Sequence, residues 1–172
     1  MIRKILWTVL AGVLALAAAV AINTARKGSR QLTVAPLPPI AIDENAVAQR
    51  LAQAVRLKTV SSQSDAQLNA DQFEALHALL QKQFPRVHAT LKRESVGGLS
   101  LLYTWEGRDP KAKAILLMAH QDVVPIAPGT EGDWQQPPFA GVVADGFIWG
   151  RGSWDDKGNL LAQLEAVEML LA

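Results

Sequence analysis

Apolar positions change their spacing several times along this chain, and each spacing predicts a different element. From Ile5 to Ile22 the sequence is uncharged and apolar over about 18 residues, a helix of about 27 Å that just reaches across a hydrocarbon core. The stretch "KGSRQLTVAPLPPI", 27–40, lacks periodicity and carries Pro36, Pro38 and Pro39, so it reads as an extended tether. A helix is predicted from near Asp43, with Val47, Leu51 and Val55 on one face. Asn69 with Gln72 three residues on has the form of a capping box. The helix it opens turns Phe73, Leu76, Leu80 and Phe84 inward, and Pro85 ends it.

The second half of the chain changes period. "RVHATLKRE" and "LSLLYTWEG" flank Gly97-Gly98 and predict a hairpin-like pair of strands. "KAILLMAH" is continuously apolar, the pattern of a strand covered on both faces. "GVVADGFIWG" predicts two short strands about an Asp145-Gly146 turn. From about Asp156 the pattern is helical, with Leu160, Leu161, Leu164, Val167 and Leu171 on the apolar face. Strands followed by helices give an α/β class. A strand and helix of this kind call for a further strand, so the chain reads as truncated after Ala172.

The flanks of the first apolar run refine its meaning. Arg3 and Lys4 precede it and Arg26, Lys27 and Arg30 follow, so basic residues do not fix its orientation. Its length and the basic cluster after it favour an uncleaved single-pass anchor, with the domain beyond it facing outward. A secretory signal cleaved after Ala19-Val20-Ala21, and hence secretion, is the alternative. The organisation is therefore 1–26 as anchor or signal, 27–42 as tether, and 43–172 as a partial catalytic domain. A formal net charge of +1 gives no electrostatic case for nucleic-acid binding. With no cysteine, neither a disulfide framework nor a thiolate zinc site is possible, and any metal must be held by His, Asp or Glu.

That restriction draws attention to His120 and Asp122 at the tip of the apolar run "AILLMAHQDVVP". Residues two apart in an extended segment point to one side, so imidazole and carboxylate can face one site beyond the strand's carboxyl end. A carboxylate beside a ligating imidazole orients it and raises its basicity. His77 reads as a partly exposed helix position and His88 as part of an alternating strand. "GRGSWDDKG" has two readings. It is either a tight turn whose Asp155 or Asp156 favours a helix dipole, or a loop presenting Asp155 as a carboxylate bridging two divalent ions. A phosphate-binding loop is excluded, because no Gly-Lys-Ser/Thr follows a properly spaced glycine.

"HQDVVP", "DWQQPPFAG" and "DGFIWGRGSWDDKG", in that order and spacing, resemble the M20 metallopeptidase family, most closely its carboxypeptidase S branch. The resemblance runs from about Ile40 to Ala172. It implies the N-terminal part of a zinc-exopeptidase-like catalytic domain, with a mixed central sheet flanked by helices and preceded by a transmembrane helix. By resemblance His120 ligates one zinc, Asp122 orients it as a catalytic residue, and Asp155 bridges two zinc ions, other divalent metals being possible. The Asp155-Asp156 peptide is expected to be cis, Asp156 stands at a position that varies, and Arg151 and Lys157 fix the loop. The implied reaction is hydrolysis of an amide next to a free carboxylate, in a small peptide or N-acyl amino acid, with a glutamate taking a proton from water. In the family that glutamate belongs to a Glu-Glu pair, and this sequence has none. Glu165 and Glu168 are expected on the solvated face of the last helix. The resemblance thus predicts an incomplete site, inactive alone. A biosynthetic deacylase and a non-catalytic membrane-tethered binding remnant are the alternatives.

Overall fold

The uncharged apolar run forms a single helix, α1 (Ile2–Arg26), with none of its residues buried. The computed structural model describes residues 1–36, 38–65 and 67–172. The chain divides into two units, Met1–Ile40 and Ala41–Ala172. Helix α1 has a mean hydropathy of 2.5 over its most apolar window and is long and apolar enough to cross a membrane.

In the second unit, Asp43 caps α2 (Glu44–Arg56) by accepting the Ala46 N–H at 3.0 Å. The helix α3 (Ala70–Gln83) begins where predicted, but the capping box does not form. Asn69 takes a left-handed conformation (φ 58°), and its amide donates to the Val60 carbonyl at 2.9 Å. Gln72 meanwhile accepts the Lys58 N–H. As expected, α3 ends just before Pro85, with Phe84 as its C-cap, but helical structure resumes at once. Pro85 opens the short helix α4 (Pro85–Thr90), because a proline in the first turn gives up only an N–H that would have no helical partner. His88 accordingly lies on a helix and not on a strand. Its Nδ1 donates to the Phe84 carbonyl and its Nε2 accepts from the Tyr103 hydroxyl.

Both glycine-marked hairpins are present. β1 (Lys92–Val96) pairs antiparallel with β2 (Ser100–Thr104), from Lys92 opposite Thr104 to Val96 opposite Ser100. β3 (Val142–Ala144) pairs with β4 (Phe147–Trp149), and Asp145 and Gly146 both have positive φ, the turn that suits a twisted hairpin. The final helix is α5 (Lys157–Leu170). The core is helical: Ala54 of α2, Leu76 and Leu80 of α3, Phe84, Val87 of α4, and Leu161 and Leu164 of α5, with Leu101 and Tyr103 of β2 against it.

The expectation of Glu165 and Glu168 on a solvated face is corrected by this core. Both carboxylates tie α5 to its neighbours. Glu165 receives both Nε and a terminal nitrogen of Arg50 on α2, while Glu168 accepts the Arg86 and Val87 N–H groups at 3.0 and 2.9 Å. The first turn of α4 has N–H groups without helical partners, and a carboxylate there also meets the positive end of the helix dipole.

The expected central strand is corrected as well. Residues 113–120 form no ladder, and Ile115, Leu116, Leu117 and Met118 are 88%, 71%, 61% and 72% exposed. Among the described residues the sheets are the two hairpins and one parallel bridge, Val60 with Val123. Continuous apolarity records what a strand needs on its faces, and here no described element lies over them. The run is tied near its end, where Asn159 and Gln163 of α5 donate to the Met118 carbonyl at 3.2 and 2.9 Å.

Candidate metal centre

The site stands where two segments meet. The first is Gln121–Val123, held beside the segment that leaves α2. Val123 N–H donates to the Thr59 carbonyl at 2.9 Å, Ser61 N–H donates to the Val123 carbonyl at 3.3 Å, and the buried Thr59 hydroxyl donates to the Gln121 carbonyl at 2.7 Å. Gln121 is held from its other end. Its Oε1 faces Nε2 of His77 at 2.7 Å and its amide donates to the Leu99 carbonyl. His77 is therefore a buried residue of α3 and not a partly exposed one, and burial pushes its pKa below 6.5 although the Gln121 bond acts the other way.

The second segment is the loop Gly150–Asp156. A Cβ on Gly150 (φ 145°) would lie 2.4 Å from the Val55 side chain, and one on Gly152 (φ 91°) would lie 2.8 Å from Val123. Only glycine permits both the backbone conformation and the approach. Arg151 donates its N–H to the Pro138 carbonyl at 2.7 Å and lays its guanidinium 5.0 Å from the Trp134 ring centre. Lys157 is fully buried, and its Nζ donates to the Ala54 and Leu57 carbonyls at 2.9 and 2.6 Å. Those carbonyls end α2, where a cation and N–H donors are both favourable. Burial brings the Lys157 pKa down to about 8. The Asp155-Asp156 peptide is cis, as the resemblance implies.

Between these segments the structure brings His120, Asp122 and Asp155 together. Nδ1 of His120 lies 3.0 Å from Oδ1 of Asp122 and 3.0 Å from its carbonyl oxygen, and Nε2 lies 2.9 Å from Oδ1 of Asp155. Asp156 accepts the His120 backbone N–H at 3.0 Å, tying the two segments a second time. Burial lowers the His120 pKa, but the Asp155 bond, the Asp122 carbonyl and the charges of Asp122 and Asp156 outweigh it and hold it above 6.5. Asp155 is the most open member, its side chain 81% exposed.

The donor chemistry fits a cation. With Nδ1–H donated to the Asp122 backbone carbonyl, a neutral His120 directs the Nε2 lone pair at a carboxylate oxygen 2.9 Å away. Two lone pairs so close require a shared positive centre, either a proton or a metal ion. No group of three or more His, Cys, Asp or Glu residues is placed to hold a metal among the described residues. Among the described residues, His120 Nε2 and Asp155 Oδ1 form a pair that faces one point. Sequence reasoning missed Ser61, whose hydroxyl donates to Oδ2 of Asp122, and Gln121. The only signal for Ser61 was the hydroxyl run "TVSS" after a helix, which resembles any turn.

Residues 116–172 match the model of Peptidase family M20/M25/M40. The chain is 46% identical to Carboxypeptidase S of Saccharomyces cerevisiae over 134 residues, covering 74% of this chain and 23% of that protein. It is 41% identical to the N-fatty-acyl-amino acid synthase/hydrolase PM20D1 of Bos taurus over 128 residues, 73% of this chain and 25% of that one. Among solved structures it resembles the M20 family metallo-carboxypeptidase Sso-CP2 from Sulfolobus solfataricus, with a TM-score of 0.56 and 25% identity over 76% of this chain and 28% of that chain. The chain thus spans about a quarter of the length of these relatives.

Proposed function

This chain belongs to peptidase family M20/M25/M40, and from that premise we propose that it carries part of a metal-dependent hydrolase site for small peptides or N-acyl amino acids. The observation that carries the reading is the convergence of His120 Nε2 and Asp155 Oδ1 at 2.9 Å, while Asp122 occupies the opposite ring nitrogen. His120 and Asp155 would hold zinc. When bound, zinc would supply a Lewis acid that polarises a carbonyl and acidifies water. Asp122 fixes the ring's orientation, its backbone carbonyl accepting from Nδ1 while its carboxylate lies 3.0 Å away and strengthens the ring's basicity. Asp156 and Lys157 hold the two donor segments in place, one at the His120 backbone and the other at the end of α2. Asp155, the most open of the three, would be the carboxylate available to a second cation.

Catalytic zinc normally takes three protein donors per ion, and this chain offers two. The 172-residue chain therefore binds zinc or cobalt weakly through His120 and Asp155 and hydrolyses no N-acyl amino acid by itself. The test is a cobalt titration followed by visible absorption, with assays of N-acyl amino acid hydrolysis alongside. Cobalt binding is expected to disappear in His120→Ala and Asp155→Ala. Binding indifferent to both substitutions would overturn the metal site, and turnover abolished by Asp155→Ala would overturn its incompleteness. For α1 the reading is a single-pass anchor with the domain outward. At 1.5 Å per residue the helix is about 37 Å long, enough to span a bilayer with some tilt. Its exposed apolar surface supports that reading.

A further inference from the structure

We propose that the cavity beside Asp122 is a subsite for the neutral acyl group of an N-acyl amino acid. The proposal rests on the hydrolase reading above and names the part of the substrate that this chain would hold. The cavity has a volume of about 350 Å³, at the lower end of the range for small-molecule pockets. His120 and Asp122 form part of its wall, while Asp155, at the other ring nitrogen of His120, lies outside it. A carbonyl held between His120 and Asp155 would therefore have a hollow next to it, on the Asp122 side of the imidazole.

The chemistry of the walls selects the occupant. Phe73 of α3 is buried, Leu99 and Leu101 are half-buried, and Leu101 packs against the helical core, so this side of the cavity is apolar and preformed. Leu68 is the most open of the four leucine and phenylalanine walls, at 41% exposure. The polar walls are already engaged. Asp122 accepts the Ser61 hydroxyl on Oδ2 and has Nδ1 of His120 at 3.0 Å from Oδ1. Gln121 faces His77 and donates to the Leu99 carbonyl, Asp65 accepts the Gln67 N–H, and Ser62 closes a local turn with Ser64. Among the described residues no lysine or arginine lines the cavity, whereas two carboxylates do. Such walls repel an anion, so the carboxylate of a substrate must lie elsewhere and its uncharged end enters. Against the apolar side, each methylene taken out of water is worth up to about fourfold in affinity.

The test uses the whole 172-residue chain, metal-free in detergent micelles, titrated with acetylglycine, butanoylglycine and hexanoylglycine. The methyl signals of its labelled leucines report where each probe binds. Shifts are expected at Leu68, Leu99 and Leu101, with affinity rising by up to about fourfold for each added methylene. Leu68→Ser should flatten that rise and Leu68→Met should keep it; the residue is exposed enough that neither change disturbs the core. Equal affinities for the three acyl lengths would overturn the inference. So would shifts at Leu116 and Leu117 of the exposed run in place of the cavity. A stronger affinity for alanylglycine than for butanoylglycine would also overturn it, making the cavity an ammonium site. The cobalt titration above separates this inference from the function it rests on. A flat acyl series in a parent that binds cobalt through His120 and Asp155 removes the subsite alone. A graded series in a parent whose cobalt binding ignores both alanine substitutions supports the subsite and removes the metal site.

Discussion

The two segments that meet at the site are held in opposite ways. The Gly150–Asp156 loop is wedged into the helical core: glycines touch Val55 and Val123, and the following Lys157 is fully buried against the end of α2. The run from Ala114 to Ala119 has exposed apolar side chains at its centre and is fastened mainly at its end, through the Met118 carbonyl, the His120 N–H and the Thr59–Ser61 bonds. Asp155 is placed by packing and His120 by hydrogen bonds at the end of an uncovered run. The difference teaches that a site geometry can be accurate at its contact points while the element delivering it remains uncovered.

The sharpest way to break this contrast is to shorten one leucine on each side. Leu80→Ala empties space in a core that holds Leu80 completely buried and should cost about 2–5 kcal/mol in denaturant unfolding followed by tryptophan fluorescence. Leu117→Ala, on the 61% exposed run, should stay within about 0.5 kcal/mol. Equal losses would mean that the run is packed after all. A smaller effect is expected from Lys157→Met, which keeps the buried stem but removes the charged donor from the Ala54 and Leu57 carbonyls, leaving them the Leu57 and Thr59 N–H groups. It should cost about 1–3 kcal/mol in the same measurement.

The gentlest probe is pH, through His77, which links α3 to Gln121 of the first segment. Burial holds its pKa below 6.5 in the folded chain; Gln121 and Glu74 act to raise it and Arg93 to lower it. The unfolded chain therefore takes up the proton first. This contribution to stability is complete above about pH 6.5 and is lost as pH falls from there toward the folded-state value. His77→Gln should flatten that part of the pH–stability curve, and an unchanged slope would mean that other groups carry it.

How far the sequence could be read follows from the same contrast. Gly97-Gly98 and Asp145-Gly146 marked their hairpins because a positive φ is a local demand that few residues meet. Asp43, Val55, Leu161 and Leu164 marked α2 and α5, since capping and helical spacing are also local. His120, Asp122 and Asp155 were legible as a trio through the motifs around them, and the structure brings their side chains together. The misreadings were non-local. Pro85 marked the end of α3 correctly, but the helix it opens, which carries His88, is accompanied by the distant carboxylate of Glu168 at its N-terminus. A charged residue on a helix says nothing about a distant arginine, so the Arg50–Glu165 pair was invisible. The run Ala114–Ala119 declared what would cover it without declaring whether it is covered.

Gly152 carries a last consequence. With 2.8 Å between Val123 and the position a Cβ would take, the clearance between the two donor-bearing segments is set by an atom the chain does not have. Val123 follows Asp122 directly, and Asp155 stands three positions beyond Gly152. A methyl group at residue 152 would thus act as a spacer driven between imidazole and carboxylate, and the gauge of the site would widen although neither donor had been altered.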